Sequence, residues 1–222
     1  MQNNDNLRPL QVKNDYLNKT ICTSISPGLT IIVGRNGYGK TTFLRSLEER
    51  ITETGTPCVS WNDNEYGRSV GKDRMLHADN ITGLASMMCR SEGETMLASF
   101  SEFFMAKAGA AVRHCAKHSK SEIFFLIDQI DSGLDIYQLD EIKDVIKNTI
   151  IPDLEKWHIV GYFLMTANSF EVAEGEDCID PVTGKHYRFA TLSEYRNYIK
   201  SLYDEKKIAE PKRRHLRPSG KR

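Results

Sequence analysis

The chain has 222 residues, 40% of them hydrophobic and 27% charged, which suits one α/β domain with extensions and excludes a fibrous or wholly disordered protein. Lys plus Arg equals Asp plus Glu at 30 each, so net charge alone points to no class of partner. No apolar run approaches the ~20 residues of a membrane span, so no transmembrane helix and no membrane partner are expected.

Residues 1–8 are polar, without the charged and apolar regions of a signal peptide, and read as a disordered N-terminus. From Leu10 to Tyr16 and from Thr20 to Ser26, apolar and polar residues alternate as in half-buried strands, with Asn14-Asp15 or Asn18-Lys19 available for the turn. Tyr16 has two readings, a ring stacked on a bound base or a tyrosine packed at a sheet edge. Pro27-Gly28 then turns into the apolar run Leu29-Thr30-Ile31-Ile32-Val33.

Gly34-Arg35-Asn36-Gly37-Tyr38-Gly39-Lys40-Thr41-Thr42 follows that run and satisfies every required position of G-x-x-x-x-G-K-[ST], the phosphate-binding loop. Glycines let backbone N–H groups turn inward around phosphate oxygens, and the helix opening behind them aims its positive end at the same point. In that chemistry Lys40 reaches the β- and γ-phosphates and the Thr41 hydroxyl ligates Mg²⁺. Phe43, Leu44, Leu47 and Ile51 give the helix its buried stripe, and Gly55 ends it.

Thr56 to Trp61 reads as a short strand, leading into Asn62-Asp63-Asn64-Glu65 and, through residue 80, a surface segment poor in apolar periodicity. Ser91-Glu92-Gly93-Glu94 is a capping box, Ser91 as N-cap and Glu94 three residues on, opening a helix through Met96, Leu97, Phe100, Phe103, Phe104 and Ala108. The same serine, glycine and free N–H groups also suit a γ-phosphate supplied from elsewhere. Local sequence does not choose between these.

Ser121 to Asp128 is an apolar run ending in an aspartate, a parallel strand that delivers Asp128 to the carboxyl edge of the sheet, where ligands of open α/β folds gather. With a phosphate loop in the chain, this is the Walker B pattern, Asp128 holding Mg²⁺. Gln129 and Ile130-Asp131-Ser132-Gly133-Leu134-Asp135 follow. A helix is expected over about 136–149, broken by Pro152. Ile159 to Thr166 is another buried strand, ending at Ala167-Asn168-Ser169. Asp180 to Lys185 forms a tight turn between extended pieces, and Leu192 to Leu202 an amphipathic helix with Tyr195, Tyr198, Ile199 and Leu202 inward.

The cysteines, Cys22, Cys58, Cys89, Cys115 and Cys178, are odd in number and lack metal-ligand spacing, so reduced thiols and a cytoplasmic location are expected. Histidine shows no metal or triad pattern. Residues 205–222 are rich in Lys and Arg and read as a disordered basic tail, either a contact for nucleic-acid phosphates or a solubilising end.

In its order of phosphate loop, Ser-x-Gly-Glu, apolar strand plus Asp, then Ser-Gly-Leu-Asp, the chain resembles the ABC-type ATPases over residues 30 to 170 or so. Ser91, Gly93 and Glu94 match that family's signature, Asp128 its Walker B aspartate, and Ser132 to Asp135 its D-loop. The loop version is that of transporter subunits and of RecF-like and SMC-like heads. The resemblance implies a P-loop NTPase fold, a mixed α/β sheet flanked by helices with a small helical subdomain, across residues 9–204. It also implies a head-to-tail homodimer, with ATP and Mg²⁺ held between the loop of one copy and the Ser91-Gly93 helix of the other.

Some positions depart from the family. Gln129 stands where a glutamate polarises the attacking water, and an amide only orients water, so turnover should be slow or absent unless Asp131 substitutes. The switch histidine expected after the Ile159 to Thr166 strand is missing, with Asn168 the nearest polar candidate to touch the γ-phosphate, and no Q-loop glutamine follows the second strand, which leaves Asn62, Asp63 or Asn64 as candidate stand-ins. The short interval between loop and signature leaves little room for a transporter-coupling subdomain, which weakens the alternative of a transporter subunit. A bare head of this kind implies an effector protein partner, in DNA maintenance or in defence against phage and mobile elements. Gln129 also admits a non-hydrolysing, ATP-bound scaffold.

Overall fold

Side chains alternate between two cores on opposite faces of one sheet, a consequence of the two-residue period of its apolar strands. The computed structural model describes residues 7–14, 19–62, 92–131 and 134–214.

Strands β1 (Arg8–Asn14) and β2 (Lys19–Ile25) form the expected antiparallel hairpin as a separate two-stranded sheet. The main sheet is six-stranded. It contains β3 (Gly28–Val33), β4 (Cys58–Asn62), β5 (Glu122–Asp128), β6 (Val160–Ala167), β7 (Asp177–Ile179) and β8 (His186–Tyr187), in the order β4-β5-β6-β3-β7-β8. All neighbouring pairs are parallel except β7 and β8, which flank the turn expected at residues 180–185. Strand β6 therefore separates β3, which carries the glycine-rich loop, from β5, which carries Asp128.

On one face Ile32, Phe124, Leu126 and Leu164 pack against Phe43, Leu44, Leu47 and Ile51 of α1 (Lys40–Glu53) and against Leu10, Val12, Ile21 and Ile25 of the hairpin. The Arg8 guanidinium fastens the hairpin to the sheet, pairing with Glu122 and lying 5.2 Å from the Phe124 ring centre.

The other face, with Ile31, Val33, Phe125, Ile127, Phe163 and Met165, is covered by α2 (Glu92–His118), α3 (Ile136–Val145), α4 (Ile151–Lys156), the short α5 (Phe170–Ala173) and α6 (Leu192–Arg214). Phe125 stacks between Phe104 at 5.1 Å and Phe163 at 4.4 Å. Among the described residues no helix is long and apolar enough to cross a membrane. Four cysteines there are free, and burial pushes the thiols of Cys58 and Cys178 up to about 12, which makes them packing residues.

Two helix expectations change. Pro152 does not break the chain: α3 passes through a π-helical turn, Ile146–Ile150, straight into α4, and Pro152 sits in the first turn of α4. A wider i→i+5 turn relieves the clash and the missing donor that proline brings to a helix interior. Helix α6 continues to Arg214, past the Leu202 end that its apolar spacing marks.

Candidate functional site

The loop 34–39 leaves the carboxyl end of β3 at the centre of the sheet and folds back on itself before α1 begins. Gly39 is the N-cap of α1 with φ 95°, a left-handed conformation that a residue with a Cβ adopts only under strain. At Gly34 a Cβ would lie 2.7 Å from Cδ1 of Tyr38, so the close return of the tyrosine ring requires glycine there. No side chain caps the start of α1 and its first turn carries no acid, which leaves its N–H groups and their positive end toward the loop.

Lys40, the first residue of α1, is only 8% exposed. Its Nζ donates to Gly34 O at 2.7 Å, Arg35 O at 3.3 Å and Asn168 Oδ1 at 2.7 Å. Burial lowers its pKa from the ordinary lysine value, and the charges of Asp131 and Asp128 partly oppose that shift. The ammonium is thus held under the loop by neutral oxygens, with two carboxylates nearby.

Asp128, at the end of β5, is buried. Its Oδ1 accepts from the Thr166 hydroxyl at 2.8 Å and its Oδ2 from Asn62 Nδ2 at 3.0 Å. Asp128, Thr41 and Asn62 line one cavity of about 670 Å³ that runs between α1 and α2 along β4. Gln129 takes a left-handed turn, φ 59°, and its N–H donates to the same Thr166 hydroxyl at 2.8 Å. That turn carries the chain away from the strand immediately after the aspartate.

Asp131 receives the backbone N–H of Asn168 at 2.5 Å and its Nδ2 at 3.2 Å. Asn168 therefore bridges the ammonium of Lys40 and the carboxylate of Asp131, and both oxygens of Asp131 are engaged. The expected residues Gly34 to Thr42, Asp128, Gln129, Asp131 and Asn168 thus gather at the carboxyl edge of the sheet, at the ends of β3, β5 and β6.

Other expected residues stand apart. Asp135 caps α3, accepting from Gln138 N–H at 2.9 Å in a reciprocal capping box. Gly93 and the exposed Glu94 lie in the first turn of α2. Tyr16, Asp63, Asn64, Ser91 and Ser132 lie outside the described residues. Thr166 was missed by sequence reasoning. It is a hydroxyl inside an apolar strand, a group that must find a partner, but its neighbour across the sheet depends on strand order.

One histidine has an arrangement that spacing did not disclose. His186 Nε2 lies 3.1 Å from Thr23 Oγ1 and its Nδ1 2.9 Å from Asp177 Oδ1. The Thr23 hydroxyl donates its proton to Gly184 O at 2.9 Å, so it has none to give the ring. The set ties β2 to the β7–β8 turn and lacks the hydroxyl-to-base bond that nucleophile activation needs. Among the described residues no cluster of three or more His, Cys, Asp or Glu surrounds a metal position. Compared with protein-family models and with curated proteins, the chain matches none.

Proposed function

We propose that this chain is an ABC-type ATPase head on a P-loop NTPase fold, binding ATP with Mg²⁺ in the loop 34–42 and using the bound nucleotide to join two copies into a switch. The observation that carries the reading is the convergence of a buried lysine ammonium, a glycine-rich loop and the Asp128 carboxylate at one edge of a mostly parallel sheet.

The residues fit the ligand. Lys40 already faces inward on the loop carbonyls, so an arriving phosphate replaces neutral oxygens with charged ones around an ammonium that burial disfavours. Thr41 and Asp128 share a cavity and offer hard oxygen donors, the set Mg²⁺ takes when phosphate and water complete its shell. Bound Mg²⁺ supplies neutralisation of phosphate charge.

Thr166 and Asn62 orient Asp128, leaving its position fixed before any ligand arrives. Asn168, in contact with Lys40, is the residue placed to exchange partners when the loop fills. Gln129 follows Asp128 and its amide orients water without taking a proton, which favours slow turnover. A protein effector, and nucleic acid bound by the basic residues 205–222, belong to the same proposal and rest on sequence resemblance and charge.

Sizing the protein with and without ATP and Mg²⁺, beside Lys40→Ala, tests the reading. Dimerisation on nucleotide that Lys40→Ala abolishes is the expected result. A chain that binds no triphosphate at saturating concentration overturns it.

A further inference from the structure

Asp180, directly after β7, is 1% exposed and opens the turn read from the sequence at 180–185, outside the nucleotide-binding motifs. Its Oδ1 accepts the N–H groups of Val182 and Thr183 at 2.8 Å each, closing the turn before β8. Its Oδ2 is left over from the turn and takes hydroxyls from two distant elements. Tyr198 of α6 donates at 3.0 Å and Tyr38 of the phosphate loop at 3.4 Å. The Tyr198 hydroxyl also lies 3.4 Å from Val33 O, the last residue of β3 before the loop. Burial, and then the charge of Asp180, raises the Tyr198 pKa, so this hydroxyl keeps its proton and acts as a donor.

Tyr38 occupies a position of the loop motif that accepts any residue. Here it stands between Gly37 and Gly39, both with positive φ, and its ring folds back over Gly34. Its N–H donates to Arg35 O at 3.1 Å, and the Arg35 guanidinium lies 5.7 Å from the ring centre. Two flexible glycines would leave the peptide between them free to turn. The tethered side chain removes that freedom.

We infer that Asp180 is a positioning residue for the phosphate loop. Through the Tyr38 hydroxyl it holds the peptide groups of residues 37–39 in place before a ligand arrives, and through the Tyr198 hydroxyl it ties α6 to the same turn. The effect on nucleotide affinity rests on the function proposed above; the ordering of the loop does not. An ordered loop binds phosphate without first losing backbone entropy, so the tether tightens binding although neither Asp180 nor the Tyr38 hydroxyl touches the ligand.

The test is amide hydrogen exchange of the ligand-free full chain, read over residues 34–40, together with titration by a fluorescent ATP analogue. Tyr38→Phe removes only the hydroxyl and is expected to speed exchange in 34–40 roughly 2- to 10-fold, with exchange in β5 unchanged, and to weaken the analogue by a similar factor. In Asp180→Asn the turn retains the amide oxygen and the NH₂ group cannot accept, so the same segment should loosen. The double variant should lose no more than the larger single effect. If Asp180→Asn fails to fold, Tyr38→Phe decides alone. Unchanged exchange over 34–40 in Tyr38→Phe overturns the inference, whereas faster exchange in a chain that binds no nucleotide supports the tether and sinks the proposed function.

Discussion

Lys40 and Asn168 meet beneath the loop, Nζ to Oδ1 at 2.7 Å, although one opens α1 and the other follows β6, 128 positions apart in the chain. The asparagine is itself held by Asp131, so a buried cation and a carboxylate are joined through one neutral side chain.

Asn168→Ala removes one of the three acceptors of a buried ammonium. A lost hydrogen bond to a charged group costs about 1–3 kcal/mol, so the midpoint of urea unfolding should fall accordingly. A variant as stable as the parent would show that the bridge contributes nothing to the fold.

Thr166→Val keeps the shape of the side chain and strips a hydroxyl that serves both Asp128 Oδ1 and the Gln129 N–H. Both are left without that partner near a buried carboxylate, and a loss of about 1–3 kcal/mol is expected, with Thr166→Ser recovering most of it. Thermal unfolding of the pair measures this; equal losses in Val and Ser variants would point to packing instead.

The lowered pKa of Lys40 has a signed consequence for pH. Between that lowered value and the ordinary lysine value, the unfolded chain holds more protons at this position than the folded one. Stability from this group therefore rises with pH across that window, because the cost of burying the charge is relieved as the charge is lost. Subtracting the urea-unfolding profile of Lys40→Met from that of the parent isolates the effect, and the parent should gain on the variant as pH rises toward the ordinary lysine value.

Gln129→Glu supplies the carboxylate that the amide lacks. Steady-state phosphate release should appear or increase at least about tenfold, the lower range of general-base effects being on the order of 100-fold. No change in release, with nucleotide binding intact, would mean that Gln129 does not face the attacking water.

Phe125→Ala opens the stack between Phe104 and Phe163 in a fully buried position. A cavity of that kind costs about 3–5 kcal/mol, enough to bring a domain of this size close to unfolding at 37 °C, and circular dichroism would record the lowered Tm.

Local chemistry made several features legible in the sequence. The loop 34–42 is readable because its glycines and lysine are neighbours in the chain. The hairpin, the strands around it and the Asp180–Gly184 turn are readable because periods and turn residues act within a few positions. Pro152 misled because a proline's local effect was absorbed by a π turn whose cost the surrounding core sustains.

What tertiary structure alone decided is which distant polar groups meet. Placement of β6 between β3 and β5, in a register that sets Ile127 beside Met165, brings Thr166 to Asp128 and Asn168 to Lys40. A shift of one residue in that pairing would turn the same side chains to the opposite face, and nothing within either segment specifies the choice. Likewise Tyr38 and Asp180 carry no mutual signal along the chain; the pairing of β7 with β3 places Asp180 within reach of the Tyr38 hydroxyl.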